Sequence, residues 1–527
     1  MATVTSVLSS DQITALIQQA SANFQAPATA LQAQEKPIQT QISALGDVQG
    51  ALSGLQSALS GLVDVQTLAQ RTVTTSPDGA VNATATNDAA PGNYVLSNIQ
   101  LAQSETLVST GFASTSGSLG AGSLTIQVGS GSPVTLNIAS GQDDLADIAT
   151  AINQANTGVK ASVVFDGSNY RLELAGAVGA ANSFTVSGTG GLSGLSSSGA
   201  SGLTQIQAAG DAQFSLNGIA ITSGSNTISG AVTGLTFTLA ASGTATVTVS
   251  QDVSALDTAA DGVVTALNQV LSTINKYASF DPTSGAGPLL GDINVQLVRT
   301  QLLNAISSPT AAGGLSNSNY GSLASIGFSI TSGGTIALDD TAFKAAAQAD
   351  YGAVASLLAN AGTPTDSRVA IEDAALAKTG RYSVAVTENN GGTIIGIVNG
   401  QAASGTNGDL TVNGPGDAQG LKLHIGAGIT GGLGTIAVTP GLFSTLSNVV
   451  STALTSGSGV TGEITNLNST VSSLNQQIAV IQQQAQQQTL ALTQQFSVAQ
   501  ATLSQLSTVS NFLTTYFDQT SSNGSGG

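Results

Sequence analysis

The apolar positions of this chain follow two different periods, and the change from one to the other divides it into segments. Near the start, Ile13, Leu16, Ile17, Ala20 and Phe24 recur at helical spacing. Pro27 and Pro37 are expected to interrupt that helix. A heptad run follows, with Ile38, Leu45, Leu52 and Leu59 seven apart and Val48, Leu55 and Leu62 in the alternate seam positions. Gly46, Gly50 and Gly54 lie four apart on one face of it. Each costs about 1 kcal/mol relative to alanine in a helix, so the helix needs partners, and its small face admits a close neighbour.

From about residue 78 the period becomes two. Leu124, Ile126 and Val128 alternate with polar residues, as do Val134, Leu136 and Ile138, Tyr170, Leu172 and Leu174, Leu235, Phe237 and Leu239, and Ala245, Val247 and Val249. These predict short antiparallel strands with one buried face. One amphipathic helix, 145–156, interrupts them, and the Gly/Ser-rich stretch 188–202 reads as a flexible loop or boundary. Heptads return at Val253, Leu256, Ala260, Val263, Leu267, Val270, Ile274 and Tyr277 and stop at Asp281-Pro282. Two shorter helices are expected near 289–306 and 340–359. A second β-rich patch covers about 380–440, where Tyr382, Val384 and Val386 alternate, then Leu421, Leu423 and Ile425.

The last helix carries Ile464, Leu467, Val471, Leu474, Ile478, Ile481 and Ala485 at heptad spacing. After a phase slip the stripe resumes at Leu492, Phe496, Ala499, Leu503 and Leu506. No charged residue stands between Glu463 and Asp518. A dimeric coiled coil selects its partner through flanking charges, which this helix lacks. Its Gln, Asn, Ser and Thr faces suit packing among several helices, where an unpaired charge is costly. The tail SSNGSGG is disordered by composition.

Composition narrows the function. The chain has 527 residues, enough for several domains, and 63 of them are glycine without a collagen period. Its net charge is −18, and its 11 Lys and Arg are scattered, so there is no basic patch for nucleic acid or an anionic membrane. It has no cysteine, which excludes disulfides and thiolate chemistry. The N-terminus lacks the basic and apolar regions of a Sec-type signal, and no apolar run is long enough to span a bilayer.

Catalytic chemistry is missing too. His424 is the single histidine. In LKLHI it points with Lys422, away from Leu421, Leu423 and Ile425, and reads as a solvated strand histidine. Asp143-Asp144 and Asp339-Asp340 precede predicted helices, where capping explains them; Glu372-Asp373 is a third acidic pair. The Gly-rich stretches lack a P-loop Lys-Ser/Thr, and no calcium-loop pattern occurs. The expectation is a chain that is not an enzyme, with no cofactor, no catalytic residue and no metal site.

Several stretches together resemble the flagellar filament cap family, the FliD-type hook-associated proteins. DIATAINQANTGVKASVV (Asp147–Val164) resembles the "IN" motif of flagellins and hook-associated proteins. PGNYVLSNIQLAQSETLVSTGF (Pro91–Phe112) resembles the first head strand of the cap family. FSLNGIAITSGSNTISGAVTGLTFTL (Phe214–Leu239), followed by TATVTVSQD, resembles the return from its outer head subdomain. FDPTSGAGPLLGD (Phe280–Asp292) and SLASIGFSITSGGTIALDD (Ser322–Asp340) resemble its central helical segment. TGRYSVAV and LTQQFSVAQATLSQLSTVSNFL (Leu492–Leu513) resemble its C-terminal region. The motifs occur in the family's order over nearly the whole chain, although the β patch at 380–440 is longer than the family minimum.

The resemblance and the periodicities together predict an α+β multidomain chain. Discontinuous terminal and central helices form an antiparallel coiled-coil leg, and an antiparallel β-rich head has two or more subdomains. The expected division is a terminal helix at 1–36, disordered until assembled; the first part of the leg at 37–77; and the head at 78–250, its outer subdomain at about 113–205. A central helical segment at 251–360, an added β subdomain at 361–440, the last part of the leg at 441–489, and a terminal helix with disordered tail at 490–527 complete it. Assembly is expected to rest on the apolar seams Ile38–Leu62, Val253–Ile274 and Ile464–Ile481, extended by Phe496, Leu503 and Leu506.

The resemblance implies a structural cap at the distal end of the extracellular filament. Subunits would form a ring, taken as a pentamer, that folds and inserts flagellin and prevents its loss. It also implies flagellin, hook-filament junction proteins and a cytosolic export chaperone as partners, and export through the flagellar type III channel. The other readings are another axial protein, flagellin or junction protein, and a surface adhesin. The central heptads argue against flagellin; the lack of tandem repeats and of a Sec signal argues against an adhesin.

Overall fold

In the computed structural model the chain is described over residues 10–63, 68–77, 79–198, 202–283, 285–307, 320–374, 377–390 and 392–523. The tail 524–527, expected to be disordered, lies outside these residues. Eight helices are used below: α1 (Ser10–Leu59), α2 (Leu145–Gln154), α3 (Val253–Ala278), α4 (Ile293–Ser307), α5 (Asp340–Ala349), α6 (Tyr351–Leu358), α7 (Leu442–Leu454) and α8 (Gly459–Asn523). Among the described residues, no helix is long and apolar enough to cross a membrane. The chain forms two compact units, 66–256 and the remainder. The architecture is α+β, with long helices at both ends and in the centre and an antiparallel β-rich head.

The 66–256 unit has two cores. In the first, a five-stranded antiparallel sheet runs in the order Arg71–Ser76, Gly243–Gln251, Gly92–Gln100, Ala212–Leu216, Ile219–Ser223. A three-stranded sheet of Thr227–Val232, Leu235–Leu239 and Val81–Ala85 shares its core of Val81, Leu96, Phe214, Phe237 and Val247. The predicted alternation holds: Leu235, Phe237 and Leu239 are buried while Thr236 and Thr238 are half-exposed. The hairpin between Leu216 and Ile219 turns on Asn217 and Gly218, both at positive φ, as a two-residue turn requires.

The second core lies within the region expected for the outer subdomain. Leu124, Ile126, Leu172, Leu174, Phe184 and Val186 supply the strands' share, and Leu145, Ile148 and Ile152 that of α2. Asp144 caps α2, its carboxylate accepting the Asp147 N–H at 2.8 Å. Its neighbour does something else. Asp143 accepts from the Ser118 hydroxyl at 2.6 Å and from the Gly120 and Gly141 N–H groups, which tie two loops together. These bonds, the Ser118 one foremost, hold its carboxyl below the usual range. The Gly/Ser-rich stretch corrects an expectation. Gly190–Leu195 is a 3-10 helix whose Leu192 and Leu195 are fully buried. Two leucines three residues apart within a run of small residues are enough to anchor it to the core.

In the other unit, α1 runs unbroken through Pro27 and Pro37, against the expected interruption. Each proline removes one helical hydrogen bond. The packing of α1 against α8 holds the helix together across both sites. The predicted 340–359 helix is two helices, α5 and α6, because Asp350 leaves helical geometry and caps α6 through the Ala353 N–H. The strands of the second β patch fall within 361–440. Eight antiparallel strands between Ala361 and Thr439 form one sheet around Tyr382, Val384, Leu410, Leu423 and Ile436. The first and last strands of its order approach each other, so that a Cβ on Gly362 would meet Ile371 at 2.4 Å.

Candidate functional site

The helices of the second unit bring the predicted seams together. Antiparallel pairing of α1 and α8 follows from two side-chain bonds. The Gln49 amide donates to the Thr461 hydroxyl at 2.9 Å, and the Asn475 amide donates to the Glu35 carboxylate at 3.2 Å. Moving up α1 therefore moves down α8. Helix α3 is joined to α1 by the Tyr277 hydroxyl, which donates to Asp47.

Burial grades the predicted assembly residues. Leu45, Leu52, Leu55 and Leu59 of α1, Leu256, Val263, Leu267, Val270 and Ile274 of α3, and Ile478 of α8 are buried. Ile38, Val253, Ile464, Leu467, Val471, Leu474, Ile481 and Phe496 are half-buried. Leu62 is half-buried too, but it lies beyond the last helical residue of α1 in a turn closed onto Leu59. Leu503 and Leu506 are exposed. The seam of α8 is thus buried at Ile478 and Ala485, half-buried at Leu492 and Phe496, and exposed at Leu503 and Leu506.

Past that point the helix is apolar and exposed. Leu490, Val498, Leu506, Val509, Phe512 and Phe517 are each more than half exposed, and no residue between 490 and 519 is buried. Phe512 stacks on Tyr516 with centroids 6.4 Å apart, and Phe517 meets Tyr516 edge to face at 6.0 Å. Burying a side chain of this size contributes about 1.5–3 kcal/mol, so the row is a large unspent driving force for association. The absence of charge from Ile464 to Phe517 means that covering it strands no ion.

The glycine stripe behaves differently from its expectation. A Cβ added at Gly46, Gly50 or Gly54 would find nothing within 4 Å, so among the described residues of this chain nothing packs closely on the small face. Instead the three glycines floor a groove of about 720 Å³ walled by Gln269, Thr273, Lys276 and Tyr277 of α3.

Three features escaped sequence reasoning. Helix α7 packs Leu442, Leu446 and Val450 against α1 and α4; their spacing of four was the available signal. Glu463, the last charge before the uncharged run, accepts from the Asn294 amide at 2.9 Å. Burial pushes its carboxyl up, and Asp292 beside it adds to the rise. The third is a cluster around His424. The ring points outward as expected, but its Nδ1 lies 2.7 Å from Asp409 and 3.9 Å from Glu372. The expected absence of ligand clusters overlooked these residues because they lie far apart in sequence.

The resembling motifs also have local work. In the IN motif Ile152 is fully buried, while the Asn153 amide pairs both ways with the Ala161 backbone, donating at 2.8 Å and accepting at 2.9 Å. Asn268 of α3 grips the backbone of Ile336 in the same manner.

Comparison with known proteins yields consistent matches. The family pattern "Flagellar hook-associated protein 2 C-terminus" matches residues 209–508, and "Flagellar hook-associated protein 2 N-terminus" matches 9–105. "Flagellin hook IN motif" matches 123–178. Flagellar hook-associated protein 2 of Escherichia coli (strain K12) is 32% identical over 321 residues, 56% of this chain and 68% of that protein. The A-type flagellar hook-associated protein 2 of Pseudomonas aeruginosa is 27% identical over 51% of this chain and 62% of its own length. The matches therefore span about two thirds of these relatives. Among solved structures, the D1-D2-D3 domains of the flagellar cap protein FliD from Escherichia coli align with a TM-score of 0.49 at 32% identity, covering 60% of this chain and 90% of that one.

Proposed function

Because the chain belongs to the flagellar hook-associated protein 2 family, we propose that it caps the distal end of the bacterial flagellar filament. Its role there is structural and not catalytic. Copies assemble into a ring at the filament tip, where they promote the folding and insertion of flagellin and prevent its loss. The observation that carries this reading is the uncharged, apolar end of α8, where Leu503, Leu506, Val509, Phe512 and Phe517 are exposed. Neighbouring subunits, or the helical ends of flagellin and junction proteins, supply the surface that covers it. The start of α1, whose Leu16 is exposed, joins it there. Ordering these ends costs about 1–2 kcal/mol per residue of backbone entropy, so they order in the assembly and fray outside it. Pentameric closure, an export chaperone and type III export complete the proposal.

Gold-labelling the chain on intact flagella tests the reading. Label confined to filament tips is expected. Label along the shaft would indicate flagellin, label at the hook a junction protein, and label on the cell body an adhesin.

A further inference from the structure

Strands Asp409–Val412, Lys422–Ile425 and Val369–Asp373 are consecutive neighbours in the eight-stranded sheet. Asp409 stands directly opposite His424 in the ladder. On the other side the register slips between Ile371 and Asp373, leaving Glu372 as the extra residue. Such a bulge re-aims a side chain, and here it brings the Glu372 carboxylate to the histidine. A turn completes the arrangement. Asn407 and Gly408 join two strands at positive φ, and a Cβ on Gly408 would meet His424 Cε1 at 3.2 Å and the Ile425 carbonyl oxygen at 2.6 Å. Glycine at 408 leaves room for the ring.

We propose that Glu372, Asp409 and His424 form a surface site for a divalent transition metal, with zinc the best-suited ion. One ligand atom from each lies within 4.8 Å of the others. Zinc bound to nitrogen and oxygen at about 2.0–2.2 Å sets its tetrahedral ligands about 3.4 Å apart. The observed separations of 2.7 Å and 3.9 Å from Nδ1 bracket that value, and the partly exposed side chains can adjust to it. One imidazole with two carboxylates favours zinc over calcium, which takes six or more oxygens. Three protein ligands leave a fourth position for water or for a group from another molecule.

Lys422 explains how the carboxylates stay together without metal. Its ammonium lies 2.7 Å from Glu372 and 3.5 Å from Asp409. It is a competing cation on a flexible stem, and zinc displaces it to solvent. Bound metal then ties three strands, including the one that ends the sheet's order. The site does not depend on the capping role.

Titrating the untagged full chain with zinc chloride in a non-coordinating buffer, followed by calorimetry, tests the proposal. One zinc per chain is expected. His424→Ala should weaken binding at least about tenfold, as should Glu372→Gln. Lys422→Met should tighten it, and calcium chloride should give no saturable heat. Absence of stoichiometric zinc binding, wild-type affinity in His424→Ala, or unchanged affinity in Lys422→Met would overturn the assignment. The His424 side chain is half exposed, alternating with the buried Leu423 and Ile425, so circular dichroism of that variant should match the parent.

Discussion

The Gln49 amide donates to the Thr461 hydroxyl across 412 residues of sequence, and so fixes which end of the last helix lies beside which end of the first. The seam around that bond is apolar and internal on α1, where Leu45, Val48, Leu52 and Leu55 are fully buried. Leu52→Ala should cost about 2–5 kcal/mol, the range for truncating a buried leucine. Leu267→Asp should cost more, since it strands a charge in the bundle. Denaturant melts followed by helical circular dichroism measure both; an unshifted helical transition would disprove the bundle.

Glycine positions 46, 50 and 54 should respond in the opposite direction. With nothing within 4 Å of an added Cβ, Gly50→Ala keeps every contact and gains helix propensity. It should stabilise the isolated chain by up to about 1 kcal/mol. Loss of stability would show that the groove closes in solution.

Glu463 links stability to pH. The folded chain holds its proton to a higher pH than the unfolded chain does, because burial raises its carboxyl. Between about 4.3 and the folded value the native state carries more protons, so stability falls as pH rises through that window. Glu463→Gln should flatten the decline. Melting temperature measured from pH 4 to 8 decides it, with a parallel curve for the variant as the contrary result.

Asp166 shows the reverse sign. The Asn169 N–H, then the Arg171 guanidinium at 2.5 Å, hold its carboxyl down at about 2. Its contribution is present above the unfolded value of about 3.9 and is lost as pH falls through about 2. Arg171→Met should raise the carboxyl only part of the way, because the backbone bond persists. Carbon-detected NMR titration reads this directly; a return to the ordinary value would make the guanidinium the sole cause.

What the sequence made legible follows from period and spacing. Strand alternation found Leu124–Ile126 and Leu235–Phe237, and heptads found Leu45–Leu59 and Leu256–Ile274, because burial repeats locally. Adjacent acidic residues were read alike, yet Asp144 caps a helix while Asp143 ties two loops, a difference set by loop geometry 25 residues away. Pro37 was read as a break because the helix it would break is held by α8, more than 400 residues further on. The His424 cluster stayed hidden for the same reason: its three members meet only after a bulge and a hairpin place them. Pairings over long sequence separations leave no local period.

The capping role is tested most directly by complementing a cap-null strain with the chain ended at Thr489, beside the full chain. Residues 490–519 are exposed or half-buried in their own unit, so the shortened chain should fold, as circular dichroism and melting will show. The full chain should restore filaments and motility. The shortened one should leave flagellin in the medium as unassembled monomer, measured by sedimenting filaments and blotting both fractions. Full-length filaments in cells carrying the shortened chain would contradict the role given to the uncharged overhang of α8.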